Sequence, residues 1–301
     1  MNYKRVKSFL ENIQIDFFEN YSTAALNSFE IGGAASIVVF PKTRKKLCSI
    51  LRYIRSNNIK FFLIGNGTNV FFSDKPFDGV IISTKHLNKI LFSKEILIAE
   101  CGALISECSL LAMFNSFEGL ESLFGIPGSV GGAVYMNAEA YGRSVSDVVF
   151  ESEVFDLNTG TTRIINREEH LFDRKRSIFS NKNNLIILNT SFLLKSANST
   201  FLKSYMLEIG MKRIKSQPLF LGNGGSAFKR PVGTYASKLI DEAGMKGYKI
   251  GGAAISNKHA GFLVNHSNAT SEDILKLLDK TKESVISKYG IRLEEEIIFV
   301  E

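Results

Sequence analysis

Three glycine-rich loops are the parts of this sequence that could bind a large ligand. The longest, GIPGSVGGAVYMNAEAYG at residues 125–142, contains five glycines, and two shorter loops lie at residues 32–33 and 65–69. Glycine permits positive φ angles and lets a ligand or another chain segment approach the backbone closely. A single loop of this kind is equally well interpreted as a tight buried turn. Three of them favour turns that converge on one extended ligand.

The loop GNGTN at residues 65–69 follows a predicted strand, which suggests a dinucleotide-binding fingerprint. That interpretation fails because the third glycine is missing and FFSDKP, at residues 71–76, cannot open a long helix. The phosphate-binding pattern GxxxxGK[ST] does not occur in the sequence either. What remains is a loop whose main-chain N–H groups, together with Thr68 and Asn69, could bind an anion.

The charge distribution disfavours nucleic-acid binding. The chain has 37 lysines and arginines against 30 acidic residues, a formal charge of +7, and its basic runs at residues 44–46 and 174–176 are short. Proteins that bind nucleic acids usually cluster their basic residues and interleave them with exposed aromatic side chains. A small anionic substrate fits this sequence better.

The cysteines, the histidines and the N-terminus predict a cytoplasmic protein without a metal site. Cys48, Cys101 and Cys108 are odd in number and lack CxxC spacing, so we expect free thiols in a reducing compartment. The four histidines show no spacing typical of metal ligands. The N-terminal segment lacks the apolar core of a signal peptide, and no apolar run reaches membrane length.

The elements that position these loops mix helices and strands without strict alternation, which predicts an α+β fold. Apolar spacing predicts helices at residues 47–54, 106–117, 201–215, 236–243 and 270–288, and a charged helical segment ending near residue 176. Predicted strands cover residues 29–40, 60–64, 80–83, 96–99, 148–156, 161–165, 185–195, 249–256, 261–264 and the C-terminal run. Thr270 and Asp273 are expected to cap the last helix, which Gly290 ends. The polar residues 196–199 mark a domain boundary.

Six motifs in order along the chain carry a family resemblance: IGGAA, LIGNGTNVFFSD, GIPGSVGGAVYMNAEAYG, GGSAFKRP, SNKHAGFLVN and GIRLEEEI. They resemble the UDP-N-acetylenolpyruvoylglucosamine reductase family, in its shorter type that lacks the inserted segments. The resemblance implies a vanillyl-alcohol-oxidase-like FAD-binding domain in two parts, residues 1–75 and 76–197, and a C-terminal substrate-binding α+β domain, residues 198–301. It also implies an enzyme that uses FAD, NADPH and a UDP-sugar. We expect a monomer with no nucleic-acid or membrane partner.

The same resemblance implies which residues line FAD. They are Gly32, Gly33, Gly65, Asn66, Gly67, Thr68, Asn69, Pro127, Gly128, Ser129, Gly131, Gly132, Ala133 and Asn137. Glycine-rich turns suit a pyrophosphate because they offer many N–H donors and little side-chain bulk.

The family reaction reduces an enolpyruvyl double bond in peptidoglycan synthesis, and it requires a positioned acid and a group that stabilises an enolate. By resemblance, Ser226 matches the proton-donating serine and Glu296 the catalytic glutamate. From the residues alone, Ser226 is better interpreted as a cap or turn hydroxyl. Glu296 could equally be part of a charged strand end, with Glu294 and Glu295 solvated.

The family's active-site arginine falls in the run DRKRSIF at residues 173–179, where this sequence has Lys175 between Arg174 and Arg176. Any of the three could be the catalytic cation, and Lys175 and Arg174 are the first candidates. Arg176, Lys229 and Arg230 are predicted to bind substrate, Arg230 at a position where the family usually has asparagine. Their positive charge suits a diphosphate and a carboxylate.

Two other functions also fit the sequence. An FAD oxidase of a sugar or an alcohol would have a similar FAD-binding half, but it would not need Ser226 and Glu296. A non-enzymatic nucleotide-binding module is the alternative from a different class.

Overall fold

The computed structural model describes residues 3–181 and 184–301. Within these ranges the chain forms eight α-helices. They are α1 (Tyr3–Asn12), α2 (Arg44–Ser56), α3 (Ile105–Phe114), α4 (Val130–Tyr135), α5 (Ile178–Asn181), α6 (Ser199–Ser216), α7 (Ala236–Glu242) and α8 (Ser271–Tyr289).

The same ranges contain nineteen β-strands, most of them short. They are β1 (Phe17–Ser22), β2 (Ala34–Val39), β3 (Phe61–Ile64), β4 (Val70–Phe72), β5 (Phe77–Ser83), β6 (Ile90–Ser93), β7 (Ile96–Glu100), β8 (Phe117–Glu118), β9 (Glu139–Ala140), β10 (Arg143–Ser144), β11 (Val149–Asp156), β12 (Thr161–Asn166), β13 (Leu185–Leu193), β14 (Lys195–Ser196), β15 (Gly222–Ser226), β16 (Lys249–Ile250), β17 (Ala253–Ile255), β18 (Phe262–Asn265) and β19 (Ile298–Val300).

The chain folds as two compact units, each assembled from three chain segments. Unit 1 contains Met1–Glu19, Ile37–Asn66 and Asp78–Gly210. Unit 2 contains Asn20–Ser36, Gly67–Phe77 and Met211–Glu301. The three-part division at residues 75 and 197 stays a prediction.

Unit 1 is built on an antiparallel sheet with strand order β12-β11-β13-β7-β6, on which α3 and α4 pack. A second sheet has the order β1-β2-β5-β3, and its β3 and β5 run parallel. The consecutive residues Val80, Ile81 and Ile82 of β5 are all buried, which is typical of a strand covered on both faces. The core of this unit also includes Leu47 and Leu51, which lie on the apolar face of α2.

Unit 2 contains the antiparallel sheet β15-β18-β17-β16, and α8 packs against its β16 and β17. The buried side chains of α8 recur every three or four residues, at Ile274, Leu277, Leu278, Thr281 and Val285, as an amphipathic helix requires. The parallel pair β4–β19 joins the C-terminus to residues 70–72.

Most of the predicted elements are confirmed with small changes at their ends. The capping box of Thr270 and Asp273 is present, and Gly290 ends α8 with a φ of 68°. Strands β11 and β12 form the predicted hairpin, with Gly160 at a φ of 76°. The three cysteines are free and buried, and burial raises the pKa of the Cys101 and Cys108 thiols to about 12. No helix in the described ranges is long and apolar enough to cross a membrane.

The predicted helical segment ending near residue 176 is wrong. The chain instead forms a 3-10 helix at Glu168–His170, which stops where Leu171 takes a φ of 47°. A tight turn at residues 173–176 follows. The predicted strand at 249–256 is also divided, because Gly251 has a φ of 52° and separates β16 from β17.

Candidate active site

In unit 1, two of the glycine loops predicted to bind FAD meet. A Cβ atom built on Gly65 would lie 2.1 Å from Ser129 Oγ, so only glycine permits this approach. The Asn66 side-chain amide donates a hydrogen bond of 2.6 Å to the carbonyl of Pro127. The two loops therefore support each other directly.

The N-terminus of α4 uses several of its N–H groups within the protein. Ser129 Oγ caps the helix by accepting from Gly132 N at 3.2 Å, and Gly131 N donates to the carbonyl of Cys101 at 2.8 Å. By contrast, none of the described residues accepts a hydrogen bond from the main-chain N–H of Gly65, Asn66, Gly128 or Ser129. Because Ser129 is buried, its N–H requires a partner that the described chain does not supply.

In unit 2, residues 67–69 have the same property. The N–H groups of Gly67, Thr68 and Asn69 find no acceptor in the part of the chain that the structure describes. Gly67 has a φ of 68°, and a Cβ atom on it would lie 2.0 Å from the carbonyl oxygen of Leu26. Glycine is therefore required at this position for both backbone conformation and space.

Gly32 and Gly33, also in unit 2, are explained by packing of the protein itself. A Cβ atom on Gly32 would lie 2.2 Å from Thr23 Oγ1, and one on Gly33 would lie 2.3 Å from the carbonyl oxygen of Asp74. The N–H of Gly33 donates to the carbonyl of Ser73 at 2.9 Å. Their predicted contact with FAD stays a prediction.

Ser226 lies at a β-bulge at the end of β15. The pairing of β15 with β18 changes register between Asn223 and Ser226, and Gly225 adopts a φ of 76°. Bulges of this kind redirect side chains next to active sites. Ser226 is exposed, it caps no described helix, and its hydroxyl makes no hydrogen bond to any described residue. The interpretation as a cap or turn hydroxyl therefore finds no support.

The segment of Glu296 pairs with the segment that follows Ser226 in unit 2. Phe228 and Glu295 form an antiparallel bridge, and Glu296 N donates to the carbonyl of Ala227 at 2.8 Å. Glu296 is therefore the neighbour of Ala227, the residue that follows Ser226. The main chains of Ser226 and Glu296 therefore lie close together although 70 positions separate them in the sequence, and their role as an acid pair stays a prediction.

Lys229, Arg230, Glu294 and Glu295, the charged residues nearest Ser226 and Glu296, have partners within the protein. Lys229 pairs with Glu294, and Lys282 Nζ lies 2.8 Å from Glu295 Oε1. Both glutamates remain accessible to solvent, as expected. The Arg230 guanidinium stacks 3.8 Å above the Tyr235 ring and donates through Nε to the carbonyl of Thr234 at 3.2 Å.

The three cations of the DRKRSIF run lie on the tight turn of unit 1. Asp173 and Arg176 exchange two main-chain hydrogen bonds, of 3.0 and 3.2 Å, so Arg174 and Lys175 form the tip. Lys175 has a φ of 56°, which is costly for a residue with a side chain. It is half-buried, whereas Arg174 and Arg176 are exposed.

Asn137 supports this turn with its side chain. Its Nδ2 donates to the carbonyl of Asp173 at 3.0 Å, and its Oδ1 accepts from Ser146 N at 3.1 Å. Ser177 reinforces the contact because its hydroxyl donates to the carbonyl of Tyr135 at 2.7 Å. Asn137 therefore connects the end of the longest glycine loop to the cationic turn, and its predicted contact with FAD stays a prediction.

A buried histidine underlies the same turn, and sequence reasoning missed it. His170 Nδ1 donates to the carbonyl of Asn166 at 2.7 Å, so its Nε2 accepts from Ser152 Oγ at 2.8 Å when the ring is neutral. The ring stacks on Phe172, with 4.9 Å between centroids. Burial lowers the pKa of His170 below its usual value. No local sequence pattern predicts this buried histidine, because its hydrogen-bond partners, Ser152 and Asn166, lie on β11 and β12.

We expect the buried His170 to make stability depend on pH. Below about pH 6.5 the unfolded chain binds a proton that the folded state resists, so the free energy of unfolding falls as the pH falls. Burial lowers the pKa of His259 in the same direction. His170→Gln should therefore reduce the slope of stability between about pH 6.5 and 5, measured by urea unfolding.

The second histidine, the half-buried His259, provides an internal check on this measurement. His170→Gln combined with His259→Gln should flatten the curve further than His170→Gln alone. An unchanged slope in His170→Gln would show that the ring is protonated in the folded state as readily as in the unfolded chain.

Comparison with known proteins shows the class of cofactor-binding protein to which this chain belongs. Residues 35–166 match the family described as an FAD binding domain. A variant of berberine bridge enzyme described as a reticuline dehydrogenase shares the fold, with a TM-score of 0.51 and 17% identity over 64% of this chain and 43% of that one. The protein is thus an FAD-binding protein with the vanillyl-alcohol-oxidase-like fold.

The particular family follows from the C-terminal part and from the whole chain. Residues 217–300 match the C-terminal domain of UDP-N-acetylenolpyruvoylglucosamine reductase. Relatives with that name from Caldicellulosiruptor bescii and Caldanaerobacter subterraneus are 39% and 40% identical over 97% and 91% of this chain and 93% and 90% of theirs. The crystal structure of the reductase from Thermus caldophilus has a TM-score of 0.80 and 27% identity over 95% of this chain and 99% of that one. The chain belongs to the UDP-N-acetylenolpyruvoylglucosamine reductase family.

Proposed function

We propose that this chain uses NADPH to reduce the enolpyruvyl group of UDP-N-acetylglucosamine enolpyruvate, giving UDP-N-acetylmuramate for peptidoglycan synthesis in the cytoplasm. The observation that supports the proposal is the register of unit 2, in which the main chain of Glu296 bonds to Ala227, the residue that follows the exposed Ser226. A reduction that ends in protonation of carbon needs such an acid, whereas the oxidation of an alcohol or a sugar does not.

The main-chain N–H groups that lack protein acceptors suit the pyrophosphate of FAD. Gly65, Asn66, Gly128 and Ser129 offer them in unit 1, and Gly67, Thr68 and Asn69 offer them in unit 2. Successive N–H groups in turns bind anions without side-chain charge. FAD, when bound, supplies the two-electron carrier between NADPH and the double bond.

The reacting carbons require groups that this chain provides. Ser226 donates a proton to the carbon next to the substrate carboxylate, and Glu296 completes the acid pair. The family resemblance gives Lys175 the role of the cation that stabilises the negative charge on the enolate, and a fixed cation stabilises such charge most strongly where water is excluded. Arg176, Lys229 and Arg230 bind the carboxylate and diphosphate of the substrate.

The purified protein should be yellow and should oxidise NADPH only when the enolpyruvyl substrate is present. Mass spectrometry of the product should show the gain of two hydrogen atoms, one from hydride and one from solvent. UDP-N-acetylglucosamine without the enolpyruvyl group is the matched control. A colourless protein that does not take up FAD would contradict the proposal, as would flavin reduction by a sugar or an alcohol followed by reoxidation with oxygen.

A further inference from the structure

Both main-chain polar groups of Glu296 are hydrogen-bonded. Its N–H donates to the carbonyl of Ala227 at 2.8 Å, and its carbonyl accepts from Asn69 Nδ2 at 2.9 Å. The carbonyl of Asn69 in turn accepts from Ile298 N at 2.9 Å. One asparagine therefore contacts the chain immediately before and immediately after Ile297.

The location of Glu296 makes this side-chain contact important. The parallel pair β4–β19 fixes residues 298–300, but Glu296 lies outside that ladder. The orientation of its peptide group therefore depends on the bonds to Ala227 and Asn69. A side-chain amide that holds this carbonyl constrains the backbone at Glu296 and therefore the direction in which the side chain leaves it, and small displacements of a reacting group are costly.

The side chain and the main-chain N–H of Asn69 differ in whether they have a partner within the protein. Its side-chain amide is engaged with Glu296, whereas its main-chain N–H has no acceptor in residues 3–181 and 184–301. Any residue except proline supplies that N–H. Substitution of the side chain therefore leaves a main-chain donor for the cofactor in place.

We infer that Asn69 is a positioning residue for Glu296, and that its side chain is not primarily a cofactor ligand. The inference rests on the proposed function, because it assumes that the Glu296 carboxylate takes part in the reduction. Asn69 acts on the step that follows flavin reduction, through the Glu296 main chain.

The experiment compares the two half-reactions in Asn69→Ala. Flavin reduction by NADPH and the dissociation constant for FAD should stay within about twofold of the parent values. Flavin reoxidation by substrate should slow by roughly tenfold to a hundredfold. Asn69→Asp keeps the size of the side chain but replaces the donor with an acceptor, so it should show the same pattern if Asn69→Ala folds poorly.

A double-variant cycle separates positioning from a general structural role. If Asn69 acts through Glu296, then Asn69→Ala should add no more than about twofold in a Glu296→Gln background. Asn66→Ala is the matched control, because the amide of Asn66 bonds to Pro127 and not to the segment of Glu296. Its effect on reoxidation should appear at full size in both backgrounds.

Three results would overturn the inference. Asn69→Ala could reoxidise at the parent rate, could slow reoxidation equally in both backgrounds, or could weaken FAD binding by more than about tenfold, which would make the side chain a cofactor ligand. Parent-like reoxidation in Glu296→Gln would instead contradict the proposed function, because Glu296 would then take no part in the reduction. This result is obtained without changing Asn69, so the two failures are distinguishable.

Discussion

Ser226→Ala is expected to slow flavin reoxidation by the enolpyruvyl substrate by about a hundredfold to ten-thousandfold, the usual cost of losing a general acid. Flavin reduction by NADPH should stay within about twofold of the parent rate, because no proton has to reach carbon in that step. The Ser226 hydroxyl makes no hydrogen bond to the described residues, so its loss should change the free energy of unfolding by less than about 0.5 kcal/mol.

Stopped-flow absorbance of the two half-reactions provides this measurement. Ser284→Ala is a suitable control in the same unit, since among the described residues its hydroxyl bonds to the carbonyl of Lys280 on α8 alone. Both half-reactions should keep their parent rates in that variant. If Ser226→Ala slows both half-reactions together, the serine supports the loop and is not the proton donor.

Lys175→Gly should make the protein more stable and less active. A lysine with a φ of 56° is strained by roughly 1 kcal/mol relative to glycine, so the substitution should raise the free energy of unfolding by up to that amount. Under the role proposed for Lys175 as the cation at the enolate, its loss should cost roughly 3 kcal/mol, about a hundredfold in the rate of flavin reoxidation. A gain in stability together with a loss of activity identifies a residue whose backbone strain serves function.

Arg174→Ala and Arg176→Ala are the controls for the choice of cation. Both arginines are exposed, and Lys175 is half-buried, so we expect the largest loss in Lys175→Ala. A larger loss in either arginine variant would assign the catalytic charge to that arginine. Parent rates in all three alanine variants would place this turn outside the active site.

The sequence alone determined the features that depend on neighbouring residues. The capping box at Thr270 and the end of α8 at Gly290 follow from local hydrogen bonds and from the backbone freedom of glycine. The hairpin of β11 and β12 follows from alternation around a glycine turn. The glycine loops were recognisable for the same reason. The sequence did not show which glycines permit close packing within the protein and which leave N–H groups for a ligand.

The tertiary structure decided which groups meet. The charged residues 168–176 are predicted from the sequence to be helical. In the structure they include the buried ring of His170 and a tight turn with Lys175 at its tip, to which Asn137 donates a hydrogen bond. The main chains of Ser226 and Glu296 come close through an antiparallel bridge between segments far apart in the chain. The bond from Asn69 to Glu296 spans 227 positions. No local pattern encodes such pairs, because their register is set by burial and hydrogen bonding of whole strands.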